Sequence, residues 1–327
     1  IQINGTNTVN GLDNYFLDYA NGKDGVALGL SDFESVRDVY QFFGESSSHG
    51  FGYQQAFLGY QAYIFDYLPD DSLFVSNAIY SSVQHNHSIQ TSGENWSMAF
   101  TFSSQYNDWL YLGANINVSS VEYRLITSTK ETGYLPESFI QETYFQNELY
   151  TYGGGVSLQF GAIARPNKNV RLGISYKTPT WYELNDEFSQ YLETKSTDSD
   201  GNSYNDVIDL TDVINVYESY TIKTPSEFRG SLAYIFGKRG ILSFDYSLKD
   251  YQNSHIGPND NDVFIALNNQ IDQSWRLVSN FRVGGEYRLG ALSFRAGYHL
   301  EESQYNNKKL LGDRSGSSYG IGLNFKS

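Results

Sequence analysis

Trp96-Ser97-Met98-Ala99-Phe100-Thr101-Phe102-Ser103, a polar turn at Asn107-Asp108, and then Leu110-Tyr111-Leu112-Gly113-Ala114-Asn115-Ile116-Asn117-Val118-Ser119 decide how this chain folds. In both runs apolar residues alternate with small or polar ones. Successive side chains of a strand point to opposite faces, so each run carries one greasy face and one polar face. The greasy face persists for roughly ten residues, the length a tilted strand needs to cross a bilayer. The pattern predicts a pair of membrane strands joined by a tight turn.

The same reading extends along the chain. From Ala56, Leu58, Tyr60, Ala62 and Ile64 predict a strand ending at Pro69-Asp70-Asp71, and a less regular one is expected over residues 74–90. Val156, Leu158, Phe160 and Ala162 turn at Arg165-Pro166-Asn167-Lys168 into Val170, Leu172, Ile174 and Tyr176. Phe228, Leu232, Tyr234 and Phe236 turn at Gly237-Lys238-Arg239-Gly240 into Leu242, Phe244, Tyr246 and Leu248. Phe281, Val283 and Tyr287 turn at Leu289-Gly290 into Leu292, Phe294, Ala296 and Tyr298, and Tyr319, Ile321, Leu323 and Phe325 end the chain. About eleven or twelve strands are expected on this periodicity. Short connections alternate with long ones over residues 126–141, 185–212, 252–273 and 301–316. Short periplasmic turns and long outer loops are the asymmetry of outer-membrane barrels. The fold class is therefore all-β, a transmembrane antiparallel β-barrel in one domain over residues 1–327.

Composition narrows the function. The 327 residues include 28 Tyr, 30 Gly and no Cys, with a net charge of −15 and a mean hydropathy of −0.45. No uninterrupted apolar run approaches the ~18 residues of a membrane helix. The acidic balance argues against nucleic acid, whose phosphates demand Lys/Arg surfaces. Residues 11–44 break the strand rhythm: Leu12, Phe16 and Ala20 have helical spacing, and Ser31-Asp32-Phe33-Glu34 reads as a capping box before Val36, Tyr40 and Phe43, with Gly44 as stop. Two short helices in an outer loop are expected. Leu12, Phe16, Phe33, Tyr40 and Phe43 are the candidates for an apolar ligand groove, or for packing over other loops. Thr178-Pro179 and Thr224-Pro225 lie at similar distances from short turns, where a proline that cannot join the ladder marks the membrane rim or a kink.

Several phrases go further. Asn107 to Ala114, Arg165 to Gly173, Thr178-Pro179-Thr180-Trp181-Tyr182, Thr224 to Phe228, Ala233 to Gly240 and Arg282 to Arg288 together resemble the FadL family of outer-membrane transporters, in the branch common in Bacteroidetes-type bacteria. The resemblance implies a monomeric barrel of about 14 strands with an N-terminal plug. It further implies passive, cofactor-free transport of hydrophobic compounds, notably long-chain fatty acids, from an outer groove through the lumen and sideways into the bilayer. The family's plug motif has no match here, and the last strands are not found, so the sequence is expected to be incomplete at both ends. Outer-membrane lipid and lipopolysaccharide, a hydrophobic small molecule and a protein in a membrane complex are the expected partners.

Inward-facing charges supply the remaining candidates. Arg171, Arg229, Arg282 and Arg295 stand among Asp245, Glu286 and Arg288, and a guanidinium there suits a carboxylate head group or a cross-lumen ion pair. His85-Asn86-His87 shares a face at i and i+2 but lacks a supporting shell for a metal, and none is expected. Asp198-Ser199-Asp200-Gly201-Asn202 lacks the remaining ligands of a calcium loop. No His sits in a motif with a nucleophile, so no enzyme is expected. A non-transporting barrel that escorts secreted surface proteins is the alternative function.

Overall fold

A computed structural model describes residues 2–7, 10–46 and 49–324. In chain order the elements are β1 (Gln2–Asn7), α1 (Leu12–Ala20), α2 (Val36–Glu45), α3 (Gly50–Gln61), β2 (Phe65–Leu68), β3 (Leu73–Ser76), β4 (Val83–Tyr106), β5 (Leu110–Thr132), β6 (Ile140–Ala164) and β7 (Val170–Lys177). They continue as β8 (Trp181–Thr197), β9 (Ser203–Val216), β10 (Tyr220–Lys223), β11 (Ser226–Ile235), β12 (Gly240–Asp250), β13 (His255–Gly257), α4 (Asp262–Ser274), β14 (Leu277–Leu289), β15 (Leu292–Glu301) and β16 (Arg314–Leu323). The chain is mostly antiparallel strand. By its internal contacts it divides into two compact units, and β4, β5, β6 and β8 contribute residues to both.

The first unit comprises residues 1–94, 122–151 and 185–218. α1 forms where Leu12, Phe16 and Ala20 were expected to make a helical face. α2 starts later than the capping box implied. Glu34 does reach back to the Ser31 amide (3.0 Å), but this closes a turn, and Ser35 caps the helix by accepting from the Asp38 amide (3.1 Å). Gly44 is helical rather than a stop. It is small because a Cβ there would lie 2.4 Å from Gln54 Nε2 and 2.6 Å from Asn215 Oδ1. The expected strand from Ala56 is instead α3. Gln54, Gln55, Ala56, Phe57, Leu58 and Gly59 are all buried in consecutive positions, so the helix is covered all round and leaves no clean period to read.

These helices share one core with the strands: Phe16, Tyr40, Phe43, Phe57 and Leu58 pack with Phe145, Leu192, Leu210 and Val213. A buried amide pair orders them. Gln55 donates to Gln190 Oε1 (2.8 Å) and Gln190 to Gln55 Oε1 (3.1 Å), while the Tyr40 hydroxyl also donates to Gln190 Oε1 (2.7 Å). Two of the expected long loops are largely ladder here. β8 and β9 pair from Glu187↔Val216 to Thr197↔Ser203, with a bulge between Phe188 and Gln190, and only residues 133–139 separate β5 from β6. Thr, Glu, Gln and Tyr on these segments meet polar surroundings, so the greasy alternation that marks a strand elsewhere is absent.

The second unit comprises residues 95–121, 152–184 and 219–327. Its strands follow the order β4-β5-β6-β7-β11-β12-β14-β15-β16, and among the described residues β4 and β16 end that order without pairing to each other. The expected position of Phe325 lies outside the described residues. The short turns fall where the sequence put them, with Asn107 (φ 49°), Gly237 (φ 55°) and Gly290 (φ 61°) in the left-handed region. The loop between β12 and β14 was expected to be structureless and holds α4, capped by the Asn261 side chain.

Pro179 separates β7 from β8, and Pro225 separates β10 from β11, on paired strands. The ladder bonds lost at these prolines are replaced by threonine hydroxyls. Leu158 N donates to Thr178 Oγ1 (2.9 Å), Thr180 N donates to Thr224 Oγ1 (2.9 Å), and Thr224 N returns to Thr180 O (3.0 Å). Thr224→Val therefore orphans an amide on buried Thr180. It is expected to cost about 1–3 kcal/mol, seen as a lower denaturant midpoint in detergent, while Thr224→Ser retains the wild-type value.

Candidate functional site

The second unit carries its large apolar side chains on the outside. Trp96, Met98, Phe100 and Phe102 of β4 are all at least half exposed, and Ile174, Leu242, Phe244, Val283 and Tyr298 continue the band across β7, β12, β14 and β15. These are the faces that period-2 reading assigned outward. Register aligns them across strands, as in Tyr176↔Phe228, Leu172↔Leu232 and Phe244↔Val283. Two depressions interrupt the band. One of about 590 Å³ lies over Ala114 and Ala162, between Phe102, Leu112, Phe160 and Ile174. The other, about 840 Å³, lies over Gly285 and Ala296, walled by Leu242, Tyr287, Phe294 and Tyr298.

The opposite face of the same strands is small and charged. Arg282 donates to Glu301 (3.1 Å), which also takes Arg314, and Glu286 is held between Arg288 and Arg295. Arg229 pairs with Glu227 (2.6 Å), and Arg171 donates to the carbonyls of Asn167 (3.1 Å) and Val170 (2.9 Å) in its own turn. All four arginines singled out in the sequence thus have partners within the protein. Asp245 lies beside Arg282 in register.

In the first unit the five groove candidates separate. Phe16, Tyr40 and Phe43 are buried together in the core, Leu12 packs against its edge, and Phe33 stands 99% exposed. Val26 and Leu30, earlier in the same segment, are exposed as well.

The most unusual feature of this unit is a buried acidic cluster at the start of α1. Gly11 offers no capping side chain. The Glu131 carboxylate of β5 caps the helix instead, accepting from the Leu12 amide (2.8 Å) and from the Tyr134 hydroxyl (2.6 Å). His85 Nε2 lies 3.3 Å from the same carboxylate. Asp13 accepts from Ser76 Oγ (2.7 Å) and the Tyr80 hydroxyl (3.0 Å), and Tyr80 in turn accepts from the Gly11 amide (3.1 Å). A Cβ on Gly11 would lie 2.6 Å from Asp13 Oδ1 and 2.7 Å from Glu131 Oε1, so only glycine fits between the two acids. Burial pushes the Glu131 carboxyl up, and burial with the neighbouring Asp13 charge pushes the Tyr80 hydroxyl up to about 12. Sequence reading missed the cluster because its partners are 119 residues apart and Glu131 carries no local motif.

The remaining candidates are structural. His87 Nδ1 contacts Thr129 Oγ1 (2.8 Å), whereas His85 lies against the Glu131 carboxylate. Asp198 is filled by its own turn, accepting from the Asn202 side chain (2.9 Å), the Asn202 backbone amide, the Tyr204 hydroxyl and the Asp200 amide, and these bonds hold its carboxyl at about 2. Among the described residues no group of three or more His, Asp or Glu side chains is placed to hold a metal ion.

Neither a protein-family model nor a curated protein matches the chain. Three solved structures are similar over part of it. The CymD monoaromatic hydrocarbon channel shares 14% identity over 75% of this chain and 70% of that one, at a TM-score of 0.40. A Pseudomonas aeruginosa FadL homologue shares 14% over 75% of this chain, which spans 63% of that one, at a TM-score of 0.46. The Pseudomonas putida toluene transporter TodX shares 12% over 75% and 80%, at a TM-score of 0.33.

The Glu131 cap gives a pH dependence whose sign is fixed. Its folded pKa lies above the ordinary value, so the folded chain holds that proton more tightly than the unfolded one. The associated stability is complete below the ordinary glutamate pKa of about 4.3 and is lost as pH rises through the raised folded value. Glu131→Gln keeps an acceptor for Leu12 without the charge. Thermal unfolding from pH 5 to 8 is expected to show a declining Tm for the wild type and a flatter profile for Glu131→Gln.

Proposed function

We propose that this chain is an outer-membrane β-barrel protein through which small hydrophobic compounds cross passively. The observation that carries this reading is the exposed apolar band of the second unit, alternating residue by residue with a small, charged face along each strand. A protein in water would bury such a face, because contiguous apolar patches of this extent are avoided on soluble monomers. Among the described residues no helix is long and apolar enough to cross a membrane, so the strands are the elements available to do so. Two of the similar structures, a monoaromatic hydrocarbon channel and a toluene transporter, are in keeping with this class of cargo.

On this reading the band meets bilayer lipid and the outer leaflet's lipopolysaccharide, and the first unit lies in water. Leu12, Phe16, Tyr40 and Phe43 hold the helices together, while Phe33, with Val26 and Leu30, is the apolar surface that an incoming compound can touch. The charged face of β12, β14 and β15 lines the route, its arginines neutralised by Glu286 and Glu301 in place of a bound head group.

Two adjacent residues of β11 test the bilayer assignment. Leu232 faces outward and Ala233 inward. An arginine facing lipid costs about 2–4 kcal/mol at the midplane, whereas one facing the interior does not. Leu232→Arg should sharply lower the folded fraction in phospholipid vesicles and Ala233→Arg should not, read by the gel shift of folded barrel. Equal loss for both, or a fully folded protein in detergent-free buffer, would overturn the reading. Transport itself is checked by faster transfer of a pyrene-labelled hydrophobic probe into vesicles holding the wild-type chain.

A further inference from the structure

The charge of this chain is not spread evenly. The first unit holds 25 Asp and Glu against 5 Lys and Arg, a net charge of −20, and the second holds 12 against 17, a net charge of +5. The acidic excess is at the surface. Between residues 18 and 71 nine carboxylates are exposed, and the two cations of that stretch are both engaged. Arg37 pairs with Asp212, and Lys23 bonds the Tyr19 carbonyl and lies over the Tyr53 ring.

Exposed apolar side chains are interleaved with these acids. The β2–β3 hairpin packs Phe65, Tyr67 and Phe74 inward, and its other face presents Leu68 opposite Leu73 and Asp66 opposite Val75, all exposed. Its turn adds Asp70 and Asp71. The neighbouring turn at Gly25 rests on the Tyr67 ring, close enough that a Cβ there would lie 2.2 Å from it. This turn contributes exposed Val26 beside Asp24, and the chain then runs on to Phe33 between Asp32 and Glu34.

From this we infer that the first unit presents an anion-rejecting apolar surface, so that the cargo it takes up is an apolar compound carrying no negative charge. The inference rests on the proposed function. If the band of the second unit is in lipid, exposed apolar side chains of the first unit remain open to a dissolved compound, and Val26, Phe33, Leu68 and Leu73 each stand within two residues of an exposed carboxylate, inside the Debye length of about 8 Å in physiological salt. A field of one sign changes association rates by about 10- to 1,000-fold and is weakened by salt. A carboxylate amphiphile is slowed by this field, an alcohol is indifferent to it, and a cationic one is drawn in. The second unit's positive excess offers no counter-attraction through the arginines named above, each of which already has a partner.

The test uses the full chain in a neutral detergent and three pyrenyl-alkyl probes of one chain length, ending in an alcohol, a carboxylate or a trimethylammonium group. Stopped-flow binding at low salt is expected to be at least about tenfold slower for the carboxylate than for the alcohol, and raising the salt should shrink the gap. A variant with Asp24, Asp32, Asp66, Asp70 and Asp71 changed to Asn and Glu34 to Gln should narrow the gap at low salt, with the alcohol probe's rate unchanged as proof of folding. A carboxylate probe that binds as fast as the alcohol at low salt, or a gap the variant leaves intact, overturns the inference while leaving hydrophobic transport standing. If none of the three probes binds, the transport reading itself falls.

Discussion

A strand in hydrocarbon must find every backbone partner within the sheet, because the solvent offers none. On the proposed membrane reading, that constraint organises the second unit. It explains why its strands run in unbroken antiparallel register from β7 to β16. It fits the short connections at residues 107–109, 236–239 and 290–291. It also explains the chemistry around Pro179 and Pro225. A proline removes a donor, and a gap left there would be costly, so Thr178 and Thr224 place hydroxyls where carbonyl acceptors or amides would otherwise be stranded. The kinks are therefore sealed seams, with side-chain bonds substituting for ladder bonds.

On the same reading the first unit faces a different solvent. With water available, its strands need no greasy face, and its stability comes from one mixed core and from buried polar contacts. Burying the Gln55–Gln190 pair and the Glu131 cap is costly unless each group is satisfied, and in both cases the partners are supplied from distant parts of the chain. Such contacts do little for raw stability but discriminate between packings, because a shifted helix would leave a carboxylate or amide unpaired. Gly11, Gly44 and Gly59 permit the close approaches on which this depends; at Gly59 a Cβ would lie 2.6 Å from both Phe16 and Phe65.

This difference decides what could be read from the sequence. Where one face is read as meeting lipid, the period of two is written in the residues, and most of the outward sets from Trp96 to Leu323 are exposed, while Leu158, Tyr246 and Leu248 are half-buried. Where both faces meet water or protein, the signal vanishes. The end of β5 from residue 126 and most of β8 and β9 were read as loops because their many Thr, Gln, Glu and Asp residues break the apolar alternation. α3 was read as a strand because a helix buried on all sides has no polar stripe. α1 and α2 were legible, since each shows an apolar stripe, although the exact cap of α2 was not. The groove residues were found as a set but not as a site: helical spacing identified what is apolar, and only the fold shows that Phe16, Tyr40 and Phe43 face each other while Phe33 faces out. The acidic cluster at α1 was beyond reach, because a cap supplied from 119 residues away has no local signature.

Charge follows the same division. In a segment surrounded by hydrocarbon an ionised side chain must turn inward and be neutralised nearby, so acids and bases there come in balanced groups such as Arg288–Glu286–Arg295. In the water-facing unit no such restraint acts, and a surplus of carboxylates costs only mutual repulsion that salt moderates. That such a surplus exists, and that it borders exposed Leu68, Leu73 and Phe33, cannot be attributed to solubility alone, since solubility would be served as well by replacing those three side chains. Acidic and apolar groups kept together on one surface form a filter by sign: apolar contact selects for hydrophobic molecules, and the field around it removes those that arrive with a negative charge.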